Sequence, residues 1–293
     1  MNFNRIAIGL LTVLIAVALT TPGWCAAPSN PSGPPGKAVR QNPPVPKPTQ
    51  VNVPYGPHER QVLDFWKADS GKPTPLVFVI HGGGWQGGEK ERVNRFVNVQ
   101  ELLQAGISVV AINYRFVKQA TAVGIEPPVK APLHDAARAL QFVRSKAAEW
   151  KIDKGRIGAA GGSAGACSSL WLAFHDDLAD PKSSDPVARE STRLMCAAVI
   201  GAQTTLDPQE MQEWTPNSHY GGHAFGLSGF AEFLANRDKI LPWIAEYSPY
   251  ALVTPEDPLV AEMLADNVKP IPFTPDNSAA KAEPAKKPRQ QQP

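Results

Sequence analysis

Apolar positions along the chain recur with two periods and mark alternating strands and helices. Pro75–Ile80 (PLVFVI) is apolar throughout, the pattern of a strand buried on both faces, and Ile107–Asn113 (ISVVAIN) repeats it. Gln61–Trp66 (QVLDFW) reads as another strand, Arg156–Ala160 (RIGAA) as a short one, and Met195–Ile200 (MCAAVI) as the last clear one. Leu133–Trp150 puts Leu133, Ala136, Leu140, Val143 and Ala147 on one helical face. Glu91–Gln104 carries apolar residues at helical spacing up to a stop at Gly106, and Ala164–Phe174 reads as a further helix. Strand–helix units in repetition predict an α/β domain with a mostly parallel sheet covered on both faces.

Composition sets the limits of that domain. The chain has 293 residues, 43% of them hydrophobic, and a formal net charge of +2, so it can bury a core but has no basic excess for nucleic acid. Three cysteines exclude a disulfide scaffold and have no metal-ligand spacing; Cys167 and Cys196 read as buried thiols. The 30 prolines crowd both ends. Arg5, the apolar run Ile6–Thr20 and the small pair Ala26–Ala27 predict a removable export signal over residues 1–26. A lipid-modified Cys25 is the rival, disfavoured by bulky Trp24 before it. The expectation is a periplasmic or extracellular protein with no stable membrane span. Residues 27–50 read as a Pro-rich linker unable to bury apolar surface, and 266–293 as a disordered Pro/Lys/Gln-rich tail. That leaves one domain, 51–265.

Two motifs carry chemistry. Gly161-Gly162-Ser163-Ala164-Gly165 lies between a predicted strand and a predicted helix. A serine there sits on a sharp, strained turn with its hydroxyl exposed, and flanking glycines remove side chains that would collide. The bland reading is a tight helix–sheet packing turn. His81-Gly82-Gly83-Gly84-Trp85 follows the apolar strand. Amides of Gly83 and Gly84, with that of Ala164, suit an oxyanion hole. A flexible connection is the alternative, while a phosphate cradle lacks the G-K-[ST] ending. His81 reads as a brace for this loop, and Trp85 as pocket floor or packing. His134-Asp135 reads as a helix opening with Asp135 a cap-region charge, and Asp176, Asp177 and Asp180 as an acidic helix end.

HGGGW, INYR (Ile112–Arg115) and Asp153–Gly165 (DKGRIGAAGGSAG) together resemble the α/β-hydrolases of the hormone-sensitive-lipase-like and feruloyl-esterase-like (BD-FAE-like) group. The resemblance covers about Tyr55 to Asp257. It implies a cofactor-free, metal-free carboxylic ester hydrolase: Ser163 attacks the carbonyl, the HGGG and Ala164 amides hold the oxyanion, and water releases the acid. The substrate is a small-molecule ester, with acetyl or aromatic esters of sugars among the compatible ones.

The chain departs from that group after Ser163. In this fold the acid and then the histidine follow the serine, on loops after two further strands. His175 lies about 18 Å further along the helix, at roughly 1.5 Å per residue. His219 and His223 fall in a lid- or cap-like insertion, 207–247, and His223 is the base candidate because it follows Gly221 and Gly222 and precedes apolar Phe225. No acid is assigned, since Asp257 precedes the place of the expected strand. The expected picture is a sheet truncated at its C-terminal strands, with an open edge that invites homodimers. The alternatives are a non-catalytic pseudo-esterase that binds a ligand, or an incomplete gene product.

Overall fold

The computed structural model describes residues 44–262. The export segment, most of the linker and the tail lie outside the described residues. Seven strands form one sheet in the order β1-β2-β4-β3-β5-β6-β7. They are β1 Gln50–Pro54, β2 Val62–Trp66, β3 Thr74–Ile80, β4 Ser108–Ile112, β5 Ile152–Gly162, β6 Cys196–Ile200 and β7 Leu259–Glu262. β2 runs against its neighbours β1 and β4, and every other pair is parallel.

Alternation on the pleat builds the two faces. Leu76, Phe78 and Ile80 of β3 and Val110 and Ile112 of β4 enter the larger core. It is covered by α3 (Lys130–Ser145), α5 (Ala164–Phe174) and α8 (Arg237–Tyr247), through Leu133, Leu140, Trp171 and Ile244. Val79 of β3 and Val109 and Ala111 of β4 point the other way, into a smaller cluster with Trp66, Val93 and Val99. Val99 opens α1 (Val99–Gln104), and Val93 belongs to a 3-10 helix, Lys90–Arg95. The face predicted from Leu133 to Ala147 is buried throughout, although the helix breaks at Lys146 and Ala147 begins a separate turn, α4 (Ala147–Trp150). With central parallel strands and helices on both faces, this is the α/β-hydrolase fold.

Several expectations are corrected. The sheet does not stop at β6: β7 pairs with it in parallel from Leu259 opposite Cys196 to Glu262 opposite Val199. Four residues held by backbone pairing at an edge leave little periodic signal. The helix expected over 91–104 divides, because the Asn98 side chain accepts from the Glu101 amide at 3.3 Å and starts α1 afresh. The Pro-rich linker is not free to its end: Pro46 carbonyl accepts from Trp66 Nε1 at 2.7 Å, Val45 packs on the smaller cluster, and Gln50 opens β1. α2 (Val117–Ala122) was not foreseen.

Between β6 and β7 lie α6 (Pro208–Trp214), a 3-10 turn at Gly222–Phe225, α7 (Phe230–Ala235), α8 and α9 (Pro249–Leu252). Leu206, Met211, Phe225, Phe233 and Ile240 of this segment belong to the larger core. Cys167 is buried, Cys196 is half-buried, and both are free thiols. Among the described residues, no helix is long and apolar enough to cross a membrane.

Candidate active site

Strand register brings the two glycine motifs together. β3 and β5 are adjacent and parallel, and Ile80 pairs with Gly161. The residues after each, His81-Gly82-Gly83 and Gly162-Ser163-Ala164, therefore leave the sheet side by side at the same edge. A Cβ on Gly82 would stand 3.4 Å from the Cβ of Ser163. Ser163 has φ 54° and ψ −123°, left-handed backbone that a non-glycine residue adopts at a cost. It is exposed while Gly162 and Ala164 are buried. Its amide donates to Ile200 carbonyl of β6 at 2.9 Å, and its carbonyl accepts from Cys167 at 3.0 Å, fixing the bend between β5 and α5.

The neighbouring glycines are steric necessities. At Gly165 a Cβ would meet Ile80 carbonyl oxygen at 2.1 Å, so α5 can pack this close to β3 only without a side chain. Gly83 has φ +115° and leaves its Cβ direction to the Gly87 carbonyl, 2.3 Å away. Ala164 is the first residue of α5, whose leading amides have no acceptor within the helix.

Ser163 opens into a cavity of about 610 Å³, lined also by His81, Gly82, Gly83, Phe96 and Ile200, with Arg92 and Arg95. Gly84 is absent from that lining; its Cβ direction faces Tyr220 hydroxyl at 3.0 Å and His223 Nε2 at 3.6 Å.

A buried scaffold holds the glycine loop, and most of it escaped the sequence reading. Tyr114 hydroxyl donates to His81 carbonyl at 2.8 Å, and its ring stacks on the His81 imidazole at 4.3 Å. Arg60 donates to Gly88 carbonyl at 3.0 Å and to Tyr114 carbonyl at 2.8 Å. Trp85 is fully buried, and its Nε1 donates to Ser168 Oγ of α5 at 3.0 Å, so it packs. Lys90, buried, donates to Asp64 at 2.9 Å, and its amide donates to Asn113 Oδ1 at 2.7 Å. Asp135 is not a cap-region charge. α3 begins at Lys130, and Asp135 is buried in its second turn, accepting from the Arg115 amide at 2.9 Å, from its guanidinium at 2.6 Å and from Gln61 at 2.8 Å. INYR was the available signal: three of its four residues, Asn113, Tyr114 and Arg115, make these contacts.

Burial pushes the His81 pKa down to about 4, with nearby Arg92 acting in the same direction, so the ring is neutral at pH 7. His223 packs against Tyr220 and Trp85, ring centroids 4.7 and 6.2 Å away. Burial lowers its pKa too, opposed by the neighbouring Gly84 backbone. Its Nε2 is buried without a hydrogen-bond partner among the described residues. His219 packs on Phe230, and His175 Nε2 lies 3.2 Å from Glu246 Oε1, beside a different cavity. Asp257 precedes β7 and so stands at the sheet edge opposite Ser163, where it accepts from the Thr254 amide at 2.5 Å. Asp177 ties a turn together by accepting from Ser191, Thr192 and Ala179. Of the aromatic residues between 207 and 250, Phe225 and Phe233 are core, and neither Trp214 nor Trp243 lines the Ser163 cavity. Among the described residues, no cluster of three His, Cys, Asp or Glu side chains could hold a metal ion.

The chain is 29% identical over 169 residues to Esterase LipQ and 25% identical over 222 residues to Carboxylic ester hydrolase LipN, both from Mycobacterium tuberculosis. Those matches cover 55% and 75% of this chain but only 37% and 51% of the relatives, so the chain spans about half their length or less. It is also similar to the crystal structure of an acetyl ester-xyloside bifunctional hydrolase from Caldicellulosiruptor lactoaceticus. That match has 28% identity and a TM-score of 0.51, and it covers 69% of this chain and 65% of that one. A strand-end serine at positive φ, a glycine loop in register beside it and these likenesses converge with the match of residues 63–270 to the BD-FAE family model: the chain belongs to the BD-FAE family.

Proposed function

We propose that the protein is a carboxylic ester hydrolase whose nucleophile is Ser163. The observation that carries this reading is the strained, exposed Ser163 lining a cavity that Gly82 and Gly83 of the glycine motif also line. Ser163 Oγ attacks the ester carbonyl, the alcohol leaves, and the acyl group stays on Ser163 until water displaces it. Amides of Gly83, Gly84 and Ala164 stabilise the oxyanion. His223 takes the serine proton and returns it to the departing alcohol, and its depressed pKa keeps it neutral and able to accept at pH 7. Acetyl or aromatic esters of sugars are the substrate class, a choice supported by the acetyl ester-xyloside hydrolase among similar structures. The export signal puts this activity outside the cytoplasm.

A second reading, a non-catalytic binding protein that keeps the pocket, draws on one observation: His223 does not line the Ser163 cavity. Turnover of 4-nitrophenyl acetate by the full chain separates the two. The hydrolase reading predicts release of nitrophenol that Ser163→Ala abolishes. Turnover untouched by Ser163→Ala, or none from folded protein, supports the binding reading.

A further inference from the structure

We propose that the Ser163 cavity takes esters that carry a carboxylate, and that Arg92 and Arg95 hold it. The proposal rests on the ester-hydrolase reading of Ser163 and names the substrate class of that site. Both arginines line the cavity, both are exposed, and neither has an ion-pair partner among the described residues. No aspartate or glutamate lines the cavity. The adjacent carboxylate, Glu91, is engaged by Lys90 at 2.5 Å, and Lys90 itself is buried against Asp64.

This local arrangement presents positive charge to the site. Arg92 and Arg95 both come from the segment Lys90–Arg95, which kinks at Arg92 (φ −87°, ψ 17°), and both side chains line the same cavity. Buried Lys90 and Val93 anchor the segment from within, leaving the two guanidiniums outward. Phe96 follows directly and lies so close to Gly162 that a Cβ there would meet its ring at 2.6 Å. Apolar walls from Phe96 and Ile200 next to two unpaired guanidiniums strengthen the local field, and a guanidinium fork matches a carboxylate with two parallel hydrogen bonds. A neutral ester uses none of this. The carboxylate can come from either side of the ester: an acidic sugar or phenol as leaving group, or a dicarboxylic half-ester as acyl group.

Calorimetric titration of the full-chain Ser163→Ala protein tests the proposal without turnover. The probes for the alcohol side are 4-acetoxybenzoate and its neutral amide; those for the acyl side are monophenyl glutarate and its amide. The acid of at least one pair binds about ten-fold tighter than its amide at low salt, the scale of one charge-assisted pair. The pair with the larger ratio identifies the side. The advantage falls towards parity in Arg92→Gln/Arg95→Gln and shrinks as salt screens it in the protein with both arginines. Equal or undetectable binding of acid and amide in both pairs, or an advantage that survives the double substitution, overturns the proposal. Fluorophosphonate labelling of Ser163 in the parent protein is scored separately: loss of labelling with the carboxylate preference intact removes the hydrolase reading and leaves an anion-binding cavity.

Discussion

Replacing Ser163 with glycine should stabilise the protein relative to replacing it with alanine. Ser163 holds φ 54° and ψ −123°, and its side chain makes no capping hydrogen bond to α5. Backbone strain of this kind costs on the order of 1–3 kcal/mol in any residue with a Cβ. Alanine keeps that Cβ and the strain; glycine releases the strain but gives up roughly 0.5–1 kcal/mol to the greater freedom of its unfolded chain. The difference is about 1 kcal/mol in favour of glycine, or roughly 2–4 °C in the midpoint for a domain of this size. Because Ser163 is exposed, neither substitution leaves a cavity. The assay is equilibrium unfolding in urea, with thermal melting as a parallel measurement, on Ser163→Gly and Ser163→Ala side by side. Equal stability, or a more stable alanine variant, would refute the claim that the fold holds this serine against its conformational preference.

Gly165→Ala should destabilise by about 1–3 kcal/mol or more, since its Cβ meets Ile80 carbonyl oxygen at 2.1 Å and backbone cannot yield as a side chain does; urea midpoints check it. Asp135→Ala strands the Arg115 guanidinium, the Arg115 amide and Gln61 Nε2, and should cost about 3 kcal/mol. Burial holds His81 and His134 down to about 4, whereas unfolded histidines protonate near about 6.5. Their contribution to stability is therefore complete above pH about 6.5 and is lost as pH falls towards about 4, by at most about 3 kcal/mol each. Unfolding followed across that window should show the fall, and His134→Gln should flatten it. His223→Gln should lower kcat/KM for 4-nitrophenyl acetate by about 10²–10⁴-fold, the range for loss of a general base; an unchanged value would remove His223 from the mechanism.

The central strands and the amphipathic helix were legible because buried apolar runs and helical spacing state their own period. So was the meeting of HGGG with Ser163, since each motif directly follows a buried strand and the strands proved to be neighbours. β7 was hidden: four edge residues need only backbone partners, and Leu259–Glu262 has no periodicity to read. The same applies to Val45, Pro46 and Thr49, whose docking on Trp66 and Lys67 uses two side chains and one backbone carbonyl inside a proline-rich stretch. Asp135 was misread for a different reason. Its role depends on Arg115 and Gln61, 20 and 74 positions away, and long-range pairing leaves no trace in local sequence. His223 shows the same limit: the sequence singled it out, but only the fold shows it packed on Gly84 and Tyr220.

The most direct measurement of the central claim is intact-mass analysis of the full chain after exposure to a fluorophosphonate, followed by peptide mapping. An activated Ser163 predicts one adduct, located on Ser163 and missing in Ser163→Ala. Folded protein that gains no adduct, or gains it on another residue, contradicts the account.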